Sequence, residues 1–226
     1  MMRSVFTALC VSVLLLVTGC ASQRPMPFKE ATEKVEDKKA IYLLMVTMEN
    51  KYKPSFHPQL VSVIVDRKEG DKWEGAGYVA DMTGVVVVPG AAMNSYAARM
   101  ELEPGEYRLR VLHGTGTAFP IIGQFIVPMY APLSVREPRG LFYLGNVRAT
   151  VREAKEGEVK AGGAIPVLDQ AISGASGGTF DVVIADAWRT DEAVFRRQFP
   201  VLGSLPVRKA VLPAWDRARV AQEHSK

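Results

Sequence analysis

The chain has 226 residues, 48% of them hydrophobic and 23% charged, with 19 glycines, 14 prolines and two cysteines. That composition excludes a disordered tail, a collagen-like repeat and a disulfide-stapled miniprotein. Lys+Arg 28 against Asp+Glu 24 gives a formal net charge of +4 with no large block of one sign, so nucleic acid is not an expected partner.

Met1-Met2-Arg3-Ser4 is a short positive leader, and residues 5–17 form a nearly unbroken apolar run containing Leu9, Leu14, Leu15 and Leu16. A spanning helix needs roughly 20 apolar residues. The run is shorter than that and reads as a secretory signal peptide. It ends in Val17-Thr18-Gly19-Cys20, an aliphatic residue and two small ones before a cysteine, and this resembles the lipobox of bacterial prolipoproteins. The resemblance covers residues 1–20 alone. It implies removal of residues 1–19, a diacylglyceryl group on the Cys20 thiol and a palmitate-like chain on the freed amine. Each buried methylene contributes about 0.8 kcal/mol, so several acyl chains hold a protein on a bilayer where one binds only reversibly. Ala21 and Ser22 follow, with no aspartate in the second position, which resembles lipoproteins sorted to the outer membrane. The expected location is therefore the outer membrane, anchored through acylated Cys20 and facing the periplasm. Cys10 leaves with the signal peptide, so the exported part has no disulfide and must fold by packing alone.

Residues 20–39, with Pro25, Pro27 and mixed charges from Lys29 onward, read as a lipidated tether. From residue 40 the texture changes to short runs rich in Val, Ile, Tyr and Leu, broken every 8 to 12 residues by turn formers, the mark of a sandwich or barrel. A β domain over residues 40–214 is predicted. Its strands fall at 41–48 (a continuous run suited to burial on both faces), 60–65, 85–88 after an Asp81-Met82-Thr83-Gly84 hairpin turn, 96–102, 107–113, 118–127, 141–151, 179–184 and 207–212. Glu103-Pro104-Gly105-Glu106 suits a type II turn between two alternating strands. The stretch around it looks like the PG-x-Y hairpin of transthyretin-like and immunoglobulin-like envelope modules, a resemblance of about ten residues that carries a fold class and no active site. On the strand at 141–151, alternation places Phe142, Leu144, Asn146 and Arg148 opposite Tyr143, Val147, Ala149 and Val151. Residues 153–178 read as a flexible loop or insertion. Thr190 is expected to cap a short helix with Asp191 and Glu192 in its first turn, Arg196 and Arg197 later, and Pro200 as its stop. Residues 215–226 form a basic tail. The fold class is all-β, an immunoglobulin-like antiparallel β-sandwich with one short C-terminal helix.

Gly174-Ala175-Ser176-Gly177-Gly178 matches the G-x-S-x-G elbow of serine hydrolases, but it runs into a β-prone segment, and the only later histidine is His224. Ser176 is thus the nucleophile of an alternative, hydrolytic reading. Three histidines and no spare thiol argue against a metal site, and no cofactor is expected. Asp181, Asp186, Asp191 and Glu192 have the wrong spacing for a calcium loop and read as caps and solvated carboxylates. Trp73, Trp188 and Trp215 could stack on sugars, though core or rim packing is the simpler reading. The expectation is a non-enzymatic envelope interaction or assembly module whose partners are the bilayer and envelope proteins or peptidoglycan. Glycan binding is a further alternative.

Overall fold

Residues 41–48 carry apolar side chains at every position but Thr47, and such a strand is stable where both its faces are covered. In the computed structural model, which describes residues 22–29, 39–87, 93, 95–163 and 170–225, they form strand β2 (Ala40–Asn50), interior to one of two sheets. The first sheet has the order β1 (Ser22–Pro25), β4 (Lys72–Val79), β3 (Gln59–Glu69), β7 (Gly105–Ala118), β8 (Ile121–Val135). The second has the order β10 (Gly178–Ala185), β9 (Gly140–Glu153), β2, β6 (Ser95–Leu102), β5 (Val85–Val86), and β11 (Val207–Lys209) pairs with the other end of β9. Three short helices complete the described residues: α1 (Gln170–Ser173), α2 (Trp188–Gln198) and α3 (Arg217–His224). The chain is the all-β sandwich with a C-terminal helix that its spacing of apolar runs predicts. The pairs β1–β4, β2–β9 and β9–β11 run parallel within otherwise antiparallel sheets.

Tyr42, Leu44, Val46 and Met48 from one face of β2 pack across the sandwich against Val63, Val65, Leu109 and Phe125. The other face, Ile41, Leu43 and Met45, joins Tyr143 beneath Phe195, Phe199 and Leu202. Helix α2 therefore adds a third layer, its apolar stripe set by Trp188, Phe195 and Phe199 at helical spacing. Thr190 does not cap it. The helix begins after Ala187, and the Thr190 hydroxyl donates to the Ala187 carbonyl at 2.9 Å. Asp191 turns inward, 6% exposed, and accepts hydrogen bonds from the Tyr143 hydroxyl at 2.5 Å and the Asn146 amide at 3.0 Å. Burial first, and then the Asp191 carboxylate, raise the Tyr143 phenol well above its ordinary value.

A bulge sets this polar contact. Between the pairs Leu43–Tyr143 and Met45–Asn146, β9 has two residues where β2 has one, and Gly145 takes φ +117°, a region that favours glycine. The alternation read from the sequence therefore changes phase at Gly145: Phe142 and Leu144 point into the sandwich, but so do Val147, Ala149 and Val151. Tyr143 and Asn146 are thereby brought to the same outer face, where both reach Asp191.

Both predicted hairpins are instead crossings between the sheets. The Asp81 carboxylate accepts from the backbone N–H of Thr83 and Gly84 and winds residues 82–84 into a 3-10 turn, which carries the chain from β4 in the first sheet to β5 in the second. The Pro104-Gly105 turn likewise joins β6 to β7 in opposite sheets, so Ala98, Met100 and Leu102 meet Tyr107 and Leu109 through the core.

The stretch read as a tether enters the fold within its described part. Residues 22–25 pair with β4, and Met26 and Phe28 are buried. Of the stretch read as a flexible loop, residues 154–163 close one side of the sandwich. Ala161 accepts from Ile126 N–H of β8 at 2.7 Å and donates to the Gly178 carbonyl of β10 at 2.8 Å. Gly162 lies so close to β8 that a Cβ there would stand 2.3 Å from the Gln124 carbonyl oxygen. The Trp215 indole N–H donates to Pro128 of β8 at 2.8 Å. Backbone that would template further strand pairing is thus occupied on this side.

Candidate functional site

The outer face of the first sheet carries α3, and clefts lie on both flanks of that helix. On one flank a cleft of about 640 Å³ is lined by Trp73 of β4, Arg108 and Arg110 of β7, Tyr130 of β8, and Arg219 and Glu223 of α3. Regular alternation along β7 sends Tyr107 and Leu109 inward and Arg108 and Arg110 outward. A bulge then follows. Relative to β3, Arg110 is an extra residue, with Val65 opposite Leu109 and Ile64 opposite Val111. β8 answers with Tyr130 at φ +44°. The bulge changes the phase of β7, so Leu112 turns into the core, whereas Val111 and His113 lie on the outer face; His113 is mid-strand and bonds Gln124 at 2.7 Å. Bulges re-aim side chains, and here Tyr130 is aimed over the arginines.

Asp66 of β3, 3% exposed, accepts from Arg108 Nε and Arg110 Nε, each at 2.8 Å. Arg108 donates further to Glu223 at 3.2 Å and lies between the rings of Trp73 (4.5 Å) and Tyr130 (5.4 Å). These are cation–π distances. Arg219 places Nε and Nη2 away from solvent with no hydrogen-bond partner among the described residues.

On the other flank of α3 a more apolar cleft of about 470 Å³ is lined by Pro128, Val159, Phe180, Trp215, Val220 and Arg217. Its arginine is committed: Arg217 donates to Asp181 at 2.6 Å and to the Phe180 carbonyl at 2.7 Å, and pairs with Glu158 at 3.3 Å. Arg152 grips Glu158 through both terminal nitrogens, at 2.7 and 2.8 Å. The arginine cleft, with donors to spare, is the better candidate.

The Arg152 hydrogen bonds, then the Lys155 backbone N–H, pull the Glu158 carboxyl from 4.5 down to about 2. A depressed carboxyl contributes stability that is complete above its unfolded value and is lost as pH falls through its folded value. Acidification from pH 4.5 toward 2 is therefore expected to loosen residues 154–163 and α3, read as a tryptophan-emission change that Trp215→Phe removes. A Trp215 signal unmoved until global unfolding would refute it.

The residues singled out by sequence are dispersed. Cys20, the predicted lipidation site, lies outside the described residues, as does Cys10. Ser176 sits in the turn after α1, and no hydrogen bond among the described residues joins it to an acid or base. His57 Nδ1 accepts from the Asn50 backbone at 3.1 Å. Asp181, Asp186, Asp191 and Glu192 do not converge: they pair with Arg152 and Arg217, Lys209, Tyr143 and Arg196 respectively. Among the described residues no group of His, Cys, Asp and Glu could hold a metal. Trp73 lines the arginine cleft, Trp215 the apolar one, and Trp188 packs at a tilt on Tyr143, 5.0 Å between ring centres, in the helical layer over the second sheet. The sequence reading names neither Arg108 nor Arg110, and takes Arg219 only as one charge of the basic tail at residues 215–226. The only signal there was two arginines on the outward positions of an alternating strand. Comparison of the chain with protein-family models, with curated proteins and with solved structures finds no match.

Proposed function

We propose that the chain is a lipid-anchored envelope protein, held on the outer membrane through acylated Cys20 and facing the periplasm, whose β-sandwich is a non-catalytic binding module. The observation that carries the binding role is the arginine–aromatic cleft: a concave site with aromatic walls, a buried carboxylate fixing two guanidinium groups and a third guanidinium with uncommitted donors. Such convergence of a few polar groups in an apolar cleft is the usual form of a ligand site. The anchor rests on the lipobox resemblance. β1 begins at Ser22, two residues beyond Cys20, and two extended residues reach about 7 Å. An acylated Cys20 would hold the edge of the first sheet close to the headgroups, without a long tether.

The anchor is tested by fractionation and palmitate labelling. Cys20→Ser is expected to lose the label and move from the membrane pellet to the soluble periplasmic fraction. Retention of the variant in the pellet overturns the anchored reading.

A further inference from the structure

Arg219 Nε and Nη2, buried and without partners among the described residues, form one edge of the guanidinium. That edge presents two parallel N–H donors, the fork that grips two oxygens of a carboxylate or phosphate. A charged donor kept from water and unpaired is costly, so an oxyanion would relieve this arrangement. Arg219 is only partly buried as a residue and lines the cleft, so a change in its outer side-chain torsions would bring the fork to a bound anion. Arg110 commits Nε to Asp66, and its terminal nitrogens make no bond among the described residues. Arg108 gives Nε to Asp66 Oδ2 and Nη1 to Glu223 Oε2, and Arg110 Nε takes the other Asp66 oxygen. Two guanidinium groups with donors to spare therefore line one cleft of about 640 Å³.

One fork already takes both oxygens of a carboxylate. Two forks match a group with three terminal oxygens, and three guanidinium groups against Asp66 and Glu223 leave the cleft net positive, so the anion that fits is a phosphate monoester. The remaining wall supplies Trp73, 40% exposed, with Tyr130 and Pro132, flat apolar surface suited to the C–H face of a ring. We propose that the cleft binds a phosphate monoester carried on a sugar-sized ring, the phosphate held by Arg110 and Arg219 and the ring by Trp73 and Tyr130. This rests on the reading of the cleft as the protein's binding surface.

The test is calorimetric titration of the detergent-solubilised full chain with inorganic phosphate, glucose phosphate and glucose. Glucose phosphate is expected to bind more tightly than inorganic phosphate, and glucose not to bind. Arg110→Met and Arg219→Met should each weaken glucose phosphate by about tenfold or more. Trp73→Ala should reduce it to the level of inorganic phosphate. Arg219→Met should melt at or above the parent temperature, since it removes a buried unpaired donor, so its loss of binding is not loss of fold. No binding of either phosphate, or unchanged affinity in Arg219→Met, overturns the proposal. Binding to phosphatidic acid vesicles that requires Arg219, with no preference for glucose phosphate over inorganic phosphate, assigns the site to a lipid headgroup and overturns the ring. Fractionation of Cys20→Ser addresses the anchor independently of these outcomes.

Discussion

Arg99→Met is expected to lower the unfolding free energy by about 3–5 kcal/mol, the range for breaking a buried ion pair by removing one partner. Arg99 is a guanidinium with 0% exposure on the face of β6 opposite Ala98 and Met100, between the second sheet and the Phe199 end of α2. It donates to the Asp81 carboxylate at 2.7 Å, to the Pro27 carbonyl at 2.8 Å, and to Ala97 and Thr83 at 3.2 Å, and it stands 4.4 Å from the centre of the Phe199 ring. These contacts tie together β6, the 3-10 turn at 82–84, the chain after β1 and the end of α2. Methionine fills much of the volume, but Asp81 would keep its charge at low exposure without its partner. For a chain of this size the loss corresponds to a fall in melting temperature of about 6–20 °C. Adding Asp81→Asn should recover part of it, because both charges are then gone while an amide oxygen still accepts from Thr83 and Gly84 N–H. The pH dependence supplies a second readout. Burial alone would raise the Asp81 carboxyl, but hydrogen bonds from Thr83 and Arg99 and the Arg99 charge outweigh it and hold the group below its ordinary 3.8. The pair's contribution is then complete above about pH 4 and is lost as pH falls through the lower folded value. Denaturant titrations at pH 7 and pH 3 should show the parent losing stability on acidification and Arg99→Met losing less. A variant within 1 kcal/mol of the parent at pH 7 would show that the hub is not needed for the fold.

Most of the strands were legible because they depend on local pattern; β1 and residues 72–76 of β4, which lack an apolar run, were not. An apolar run with no polar face needs cover on both sides, and β2 has it. What alternation cannot convey is where it changes phase. Gly145 and Arg110 each sit at a bulge, and each flips the inward set of everything beyond it, so Val147 and Leu112 face the core where strict alternation sends them elsewhere. Turn chemistry was equally incomplete as a guide. Pro104-Gly105 marks a reversal correctly, yet a reversal between strands of one sheet and a crossing between two sheets use the same residues, and the choice is made by which partners bury Leu102 and Leu109. The candidate site suffers most from this. Arg108 and Arg110 read as the solvated side of a hairpin, and Arg219 as one charge in a basic tail; their convergence depends on the register of β3 on β7 and on α3 lying across the sheet. Asp66 could not be matched to them from spacing, since the extra residue at Arg110 sets which β7 residues it meets.

Replacing Asp66 should therefore expose how the cleft is held. Its two oxygens divide between Arg108 and Arg110, whose side chains are 19% and 33% exposed against 4% for the carboxylate. Asp66→Ala leaves two guanidinium groups side by side with no shared counter-charge, one of them still pressed between Trp73 and Tyr130. The expected loss is about 2–4 kcal/mol, less than for Arg99 because water reaches both arginines and screens part of the repulsion. Asp66→Asn keeps one acceptor and the shape, so it should fall between the parent and Asp66→Ala. Like-charge repulsion is screened by salt, whereas a packing defect is not. Raising the ionic strength should thus restore part of the stability of Asp66→Ala in thermal melts. Combining Asp66→Ala with Arg110→Met should restore more by removing one of the opposed charges. If Asp66→Ala melts within about 1 kcal/mol of the parent at low salt, the carboxylate is not the support of the arginine pair, and the cleft is held by the Trp73–Arg108–Tyr130 stack alone.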